Sequence, residues 1–161
     1  MKRARIRTGN NSEEQRLQRN RITTDENDIT TQEKAAVLEE VAARVYGYNS
    51  TRSASWYDAR RESGAVIEVK SAQEKEGSKY PAAGRFRLWR EQHSKLVSYD
   101  RESSAFYVFV VLDESENPPI AELVRKNPAD VGRLIAARGG FGPSGHASRG
   151  EQYKLPISAV F

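Results

Sequence analysis

The sequence predicts an α/β fold with a mixed central sheet flanked by helices, and three observations carry that expectation. Ala105–Leu112 (AFYVFVVL) is an unbroken run of apolar, mostly β-branched and aromatic residues, the pattern of a strand buried on both faces. Ala65–Ser71 alternates, with Ile67 and Val69 to one side and Glu68 and Lys70 to the other. Segments of helical period stand before, between and after these two. Helices alternating with strands around one deeply buried strand make a layered sandwich.

Taken in order, residues 1–28 are polar and basic. Within residues 1–21, Lys2, Arg3, Arg5, Arg7, Arg16, Arg19 and Arg21 stand against Glu13 and Glu14, a balance of +5, and residues 22–161 carry about −1. The segment reads either as a disordered arm for a polyanion such as nucleic acid or as a plain solvated leader. The folded domain is expected at residues 29–161. Thr30-Thr31-Gln32-Glu33 has the form of a helix N-cap with its capping-box glutamate. Val37, Leu38, Val41, Ala42 and Val45 then form the apolar stripe of a helix that Gly47 ends.

Tyr48–Ala59 is rich in Thr, Ser, Trp and Tyr and predicts a strand or two. Glu62-Ser63-Gly64 predicts a turn into the alternating strand. Residues 72–84 form a polar loop containing Gly and Pro. Arg85–Tyr99 predicts a helix. After the buried strand, Pro118-Pro119 closes a loop, Ile120–Val124 forms a short strand, and Asn127-Pro128 opens a helix to about Ala137 as an N-cap and N1 pair. A glycine-rich loop follows, and Tyr153–Phe161 forms a last strand edged by Pro156.

Several classes of chemistry are excluded. The chain has 161 residues, enough for one domain, and no apolar run near the roughly 20 residues that span a bilayer. A soluble, cytoplasmic protein is therefore expected. There is no Cys, so there is no thiolate metal site, and the two histidines, His93 and His146, are far apart. A divalent metal would rest on carboxylates, which points to Mg²⁺ with Mn²⁺ as a substitute.

Glu68 and Lys70 are two apart on one strand and emerge on the same face, about 7 Å apart along the chain. Asp58 stands ten residues before Glu68, at the end of the preceding extended segment. A turn at Glu62–Gly64 would bring the two carboxylates together. Their repulsion is relieved by a hard divalent cation. Such a cation polarises a phosphoryl oxygen, and a nearby ammonium stabilises developing charge.

Asp58, then Glu68-Val69-Lys70, with a helix before and a helix and a hydrophobic strand after, resembles the PD-(D/E)XK nuclease superfamily over about residues 30–115. Within it the chain looks most like the small archaeal Holliday-junction resolvases and the short restriction-enzyme-like nucleases of archaea and their viruses. Tyr57 stands where the name-giving motif has Pro. The resemblance implies a restriction-endonuclease-like α-β-β-β-α-β core and metal-dependent hydrolysis of DNA. It implies Asp58, Glu68 and the Val69 carbonyl as metal ligands and Lys70 as the group that positions the nucleophile. It also implies a carboxylate from the first helix. Glu33 is favoured, with its capping role as the rival reading, and Glu40 is second; Glu39 is expected to point away. Gln92 is the polar group expected from the following helix, or else a structural glutamine. Lys75, Lys79, Arg85, Arg87 and His93 are candidate DNA contacts. A resolvase would act as a homodimer, since a junction needs two active sites.

Overall fold

In the computed structural model, the described residues are 1–9, 12–22, 28–51, 56–76, 82–145 and 150–161. In chain order the elements are β1 (Lys2–Arg5), α1 (Glu13–Ile22), α2 (Asp28–Tyr46), β2 (Asn49–Ser50), β3 (Ala59–Arg60), β4 (Val66–Ala72), β5 (Lys75–Glu76), β6 (Ala82–Ala83) and β7 (Arg85–Trp89). Then follow α3 (Arg90–Glu102), β8 (Ala105–Asp113), β9 (Ile120–Lys126), α4 (Pro128–Ala136), β10 (Gly142–Pro143), β11 (Glu151–Pro156) and a 3-10 turn (Ile157–Ala159).

The main sheet is mixed and six-stranded, in the order β1-β9-β8-β4-β3-β2. The α-β-β-β-α-β order runs through α2, β2, β3, β4, α3 and β8, so the fold is the restriction-endonuclease-like one expected from the sequence. β4 and β8 are parallel, joined through α3, with Glu68 opposite Tyr107 and Lys70 opposite Phe109. β8 is the strand that its apolar run predicted. Val108 and Val110 pack into a core with Val37, Val41, Ile67 and Val69 beneath α1 and α2. Tyr107 and Phe109 enter a second core with Phe86, Leu88, Leu96, Val131 and Leu155. Asn127 caps α4 as expected, its side chain accepting from the Asp130 N–H at 2.9 Å.

Three expectations need correction. The N-terminal segment is no free arm where it is described. Lys2–Arg5 pairs antiparallel with β9, Lys2 opposite Leu123 and Arg5 opposite Ile120. Ile6 and Leu17 are buried in the first core. Glu13 is buried too, accepting from the Arg7 N–H at 2.9 Å and pairing with Arg44 of α2 at 3.2 Å. Burial of Ile6 and Leu17 and the pairing of Glu13 hold a basic segment that composition alone leaves loose.

The second correction is at Thr30, which is already inside α2 and so is not its N-cap. The third is at 85–89, a strand and not the first turns of a helix. Phe86 and Leu88 face the core while Arg85 and Arg87 face out, the alternation of a half-buried strand. β7 pairs with β11 in a separate sheet of order β10-β11-β7. The helix starts only at Arg90.

Candidate active site

β3 and β4 are antiparallel neighbours, with Ala59 opposite Ile67. Asp58 immediately precedes β3, and its backbone N–H donates to the Ile67 carbonyl at 2.9 Å. Its carbonyl accepts from the Thr51 N–H at 3.0 Å. These bonds fix the Asp58 main chain against the strand that carries Glu68. The Val69 N–H then donates to the Asp58 carboxylate at 2.6 Å. Lys70 donates to Glu68 at 2.5 Å, with the Glu68 side chain 4% exposed and that of Lys70 16%. The turn at Glu62–Gly64 thus does what the spacing predicted: Asp58, Glu68 and Lys70 converge.

Burial disfavours the charged carboxylates. It raises the Asp58 carboxyl above its ordinary value, against the Val69 N–H and the Lys70 ammonium, which lower it. Burial pushes Glu68 up to about 7, with Lys70 opposing and the Asp58 charge adding to the rise. Tyr107, opposite Glu68 on β8, is raised by burial and by the Glu68 charge, so its hydroxyl stays protonated.

The sequence missed one member of the site. Glu39 of α2 is raised to about 7, first by burial and then by the Asp58 charge, with Lys70 opposing. Glu39 of the first helix thus stands within electrostatic reach of Asp58 and Lys70. Glu33 is exposed. Glu40 pairs with Arg16 of α1 at 2.8 Å. A signal was present in the sequence. Positions i+3, i+4 and i+7 from Glu39 are Ala42, Ala43 and Tyr46, all buried, so Glu39 lies beside a buried face of the helix.

The remaining candidates are dispersed. Gln92 of α3 lies in the wall of a groove with Trp56 and Trp89, and its Oε1 is buried without a partner among the described residues. The His93 ring stacks on Tyr107, meets its hydroxyl at 3.2 Å, and crowds the place a side chain would take at Gly132. Burial lowers its pKa. His93 thus packs α3 against α4. Arg85 and Arg87 are exposed on β7. Lys75 opens β5, and Lys79 lies outside the described residues.

Three carboxylates, Glu39, Asp58 and Glu68, thus share the neighbourhood of one cation, Lys70. Among the described residues no group of three His, Cys, Asp or Glu is gathered closely enough to hold a metal ion. The donors that do converge are two carboxylates, Asp58 and Glu68. That set suits Mg²⁺, which commonly takes one or two carboxylates and completes its shell with water and substrate phosphate. Two carboxylates whose charged forms burial disfavours are also groups that a bound cation would stabilise as anions.

No helix among the described residues is long and apolar enough to cross a membrane. The model of the PD-(D/E)XK nuclease superfamily domain matches residues 23–161. No curated protein and no solved structure matches the chain.

Proposed function

The chain belongs to the PD-(D/E)XK nuclease superfamily, and from that premise we propose that it is an endonuclease that hydrolyses DNA phosphodiester bonds with a divalent cation, Mg²⁺ or Mn²⁺, at Asp58 and Glu68. The observation that carries the reading is the bonded set on neighbouring strands: Val69 N–H to Asp58, and Lys70 to Glu68.

Asp58 and Glu68 would hold the cation, with the Val69 carbonyl as a third oxygen. When bound, the cation polarises the phosphoryl oxygen and offsets the charge that develops there. The residues supply the rest. The Val69 N–H fixes the Asp58 carboxylate, so its orientation is set before substrate arrives. Glu68 holds the Lys70 ammonium where it can orient an attacking water and face the developing negative charge. Glu39, whose carboxyl is raised by burial, is the group we assign to take a proton from the attacking water.

Cleavage directed by DNA structure is the reading we favour over cleavage directed by sequence. A four-way junction is the first substrate to try. Resolving it takes two sites, and so a homodimer. Among the described residues only Met1 and Phe161 are large exposed apolar side chains, so such an interface would be largely polar.

The test offers plasmid, linear duplex, single-stranded DNA and a four-way junction to wild type and to Glu68→Gln, with Mg²⁺, Mn²⁺ or EDTA. Cutting that needs the metal and disappears in the variant supports the reading. DNA binding without cutting under any of these conditions would leave a DNA-binding protein on a nuclease fold.

A further inference from the structure

The chain has only two tryptophans, and both line one groove. Trp56 and Trp89 are each half-buried there, beside Arg90, Gln92, Lys95 and Glu151. Trp56 is held edge-on by Tyr57 and Tyr99, ring centroids 5.1 and 5.3 Å away, so one side of the indole is fixed by packing. It stands two residues before Asp58, at most about 7 Å along the chain. One wall of the groove is therefore contiguous in sequence with Asp58.

Two buried acceptors lie in this region, one on a residue that lines the groove and one on the strand beside Trp89. Gln92 Oε1 has no partner among the described residues, and neither has Gln152 Oε1. Gln152 lies opposite Trp89 across β11 and β7. A buried acceptor left unmatched is unfavourable, and a donor brought by a ligand removes the penalty.

A cationic strip leads to the groove. Residues opposite one another in an antiparallel pair share a face. Trp89 with Gln152, Arg87 with Lys154, and Arg85 with Pro156 share the outward face of β7 and β11, because Phe86, Leu88 and Leu155 fill the core. Arg87 and Lys154 stand opposite one another on this face, and both are exposed. Within the groove the charges are matched, Arg90 with Glu151 and Lys95 with Glu91. The positive excess lies on the strip, and the groove offers aromatic surface and acceptors.

We infer that the groove takes an unpaired DNA base against Trp56 and Trp89, with the adjoining phosphates on Arg85, Arg87 and Lys154. Single-stranded or locally unpaired DNA is then the substrate class, ahead of continuous duplex. Phosphate neutralisation supplies affinity of either kind. Stacking on aromatic side chains is open to an unpaired base, whereas a paired one must first leave the helix stack. The ring N3–H of an unpaired thymine, or the exocyclic amino group of another base, is a donor for an unmatched glutamine oxygen. The inference rests on the DNA-cleaving reading of the same site for its catalytic consequence, but its binding half stands apart from the chemistry.

Both indoles are in the groove, so intrinsic fluorescence reports it directly. Full-length protein in EDTA is titrated with a thymidine oligonucleotide of about 12 nucleotides and with a duplex of that length, a span typical of single-strand sites. Tryptophan emission and the anisotropy of end-labelled DNA are read together. The single strand is expected to quench emission saturably and to bind roughly tenfold or more tighter than the duplex. Trp89→Ala is expected to weaken single-strand binding roughly 5- to 150-fold, and Trp89→Phe to restore most of it with a smaller quench. Binding seen by anisotropy with unchanged emission, or duplex bound as tightly as the single strand, would overturn the inference. Saturable quenching with no metal-dependent cleavage of any unpaired substrate would keep the groove and overturn the hydrolase reading instead.

Discussion

The backbone N–H of Val69 donates to the Asp58 carboxylate at 2.6 Å, so the strand that carries Glu68 and Lys70 also orients the carboxylate facing them. Asp58→Asn keeps an acceptor for that N–H while removing the charge. The variant is expected to melt within a few degrees of wild type and to lose cleavage by roughly 100-fold or more. Thermal melts by circular dichroism, run beside the cleavage assay, check both halves.

Lys70 is the cation bonded to the buried Glu68. Lys70→Met leaves the two carboxylates in place, so divalent-cation binding by calorimetry should persist. Turnover should fall roughly 100- to 1000-fold, because the ammonium that stabilises developing charge is gone. Wild-type turnover in this variant would remove Lys70 from the mechanism.

Glu39 and Glu33 separate by side of the helix. Glu39→Gln is expected to weaken Mn²⁺ affinity or activity roughly 10- to 100-fold, as loss of a group supporting the ligands commonly does. Glu33→Gln, at an exposed position, should match wild type. The reverse ranking in a paired titration would restore Glu33 as the helix carboxylate.

Glu39 and Glu68 are each raised from 4.5 to about 7. In the unfolded chain both return to the ordinary value, so between those limits the folded state binds more protons. Metal-free stability from these groups is complete below about pH 4.5 and is lost as the pH rises through about 7. His93, lowered by burial, works the other way and adds stability as the pH rises near its ordinary value of 6.5. Comparing variants cancels that opposing contribution. Metal-free Glu68→Gln is expected to show a shallower decline in melting temperature from about pH 5 to about pH 7.5 than wild type. Equal slopes would mean that Glu68 titrates as an exposed carboxylate does.

Ile6 is 2% exposed beneath α1 and α2. Ile6→Ala is expected to destabilise by roughly 2–5 kcal/mol, about 4–20 °C in melting temperature for a chain of this size. An unaltered melt would show that the N-terminal segment is not part of the folding unit.

The sequence made the catalytic strand and the central strand legible for a physical reason. A strand buried on both faces admits no polar residue, so Ala105–Leu112 could be little else, and Glu68 and Lys70 stood out against Ile67 and Val69. Asp58 followed from its spacing and a turn. Glu39 was missed because the apolar stripe was centred on Val37 and Leu38, while the neighbouring face is made by alanines and a tyrosine that look unremarkable in a list of large apolar residues. Arg85–Trp89 was misread because five residues of alternation run straight into a helix, and the period changes with no Gly or Pro between. The N-terminal strand was hidden by its arginines. An edge strand needs one face buried at most, and Lys2–Arg5 meets its backbone needs from β9 with its charges in water.

That edge strand bears on how the chain reaches its fold. Lys2 lies opposite Leu123, so pairing β1 with β9 closes a loop holding most of the chain. Loop-closure entropy grows only logarithmically with length, and the burden is therefore one of time more than of final stability. Strands with distant partners assemble late. Until β1 arrives, the outer edge of β9 presents open hydrogen-bonding groups, the surface through which partly folded chains join one another. Refolding at high protein concentration is accordingly expected to lose material to aggregation during this last step, and a peptide copy of the first strand, added in excess, would be expected to raise the yield.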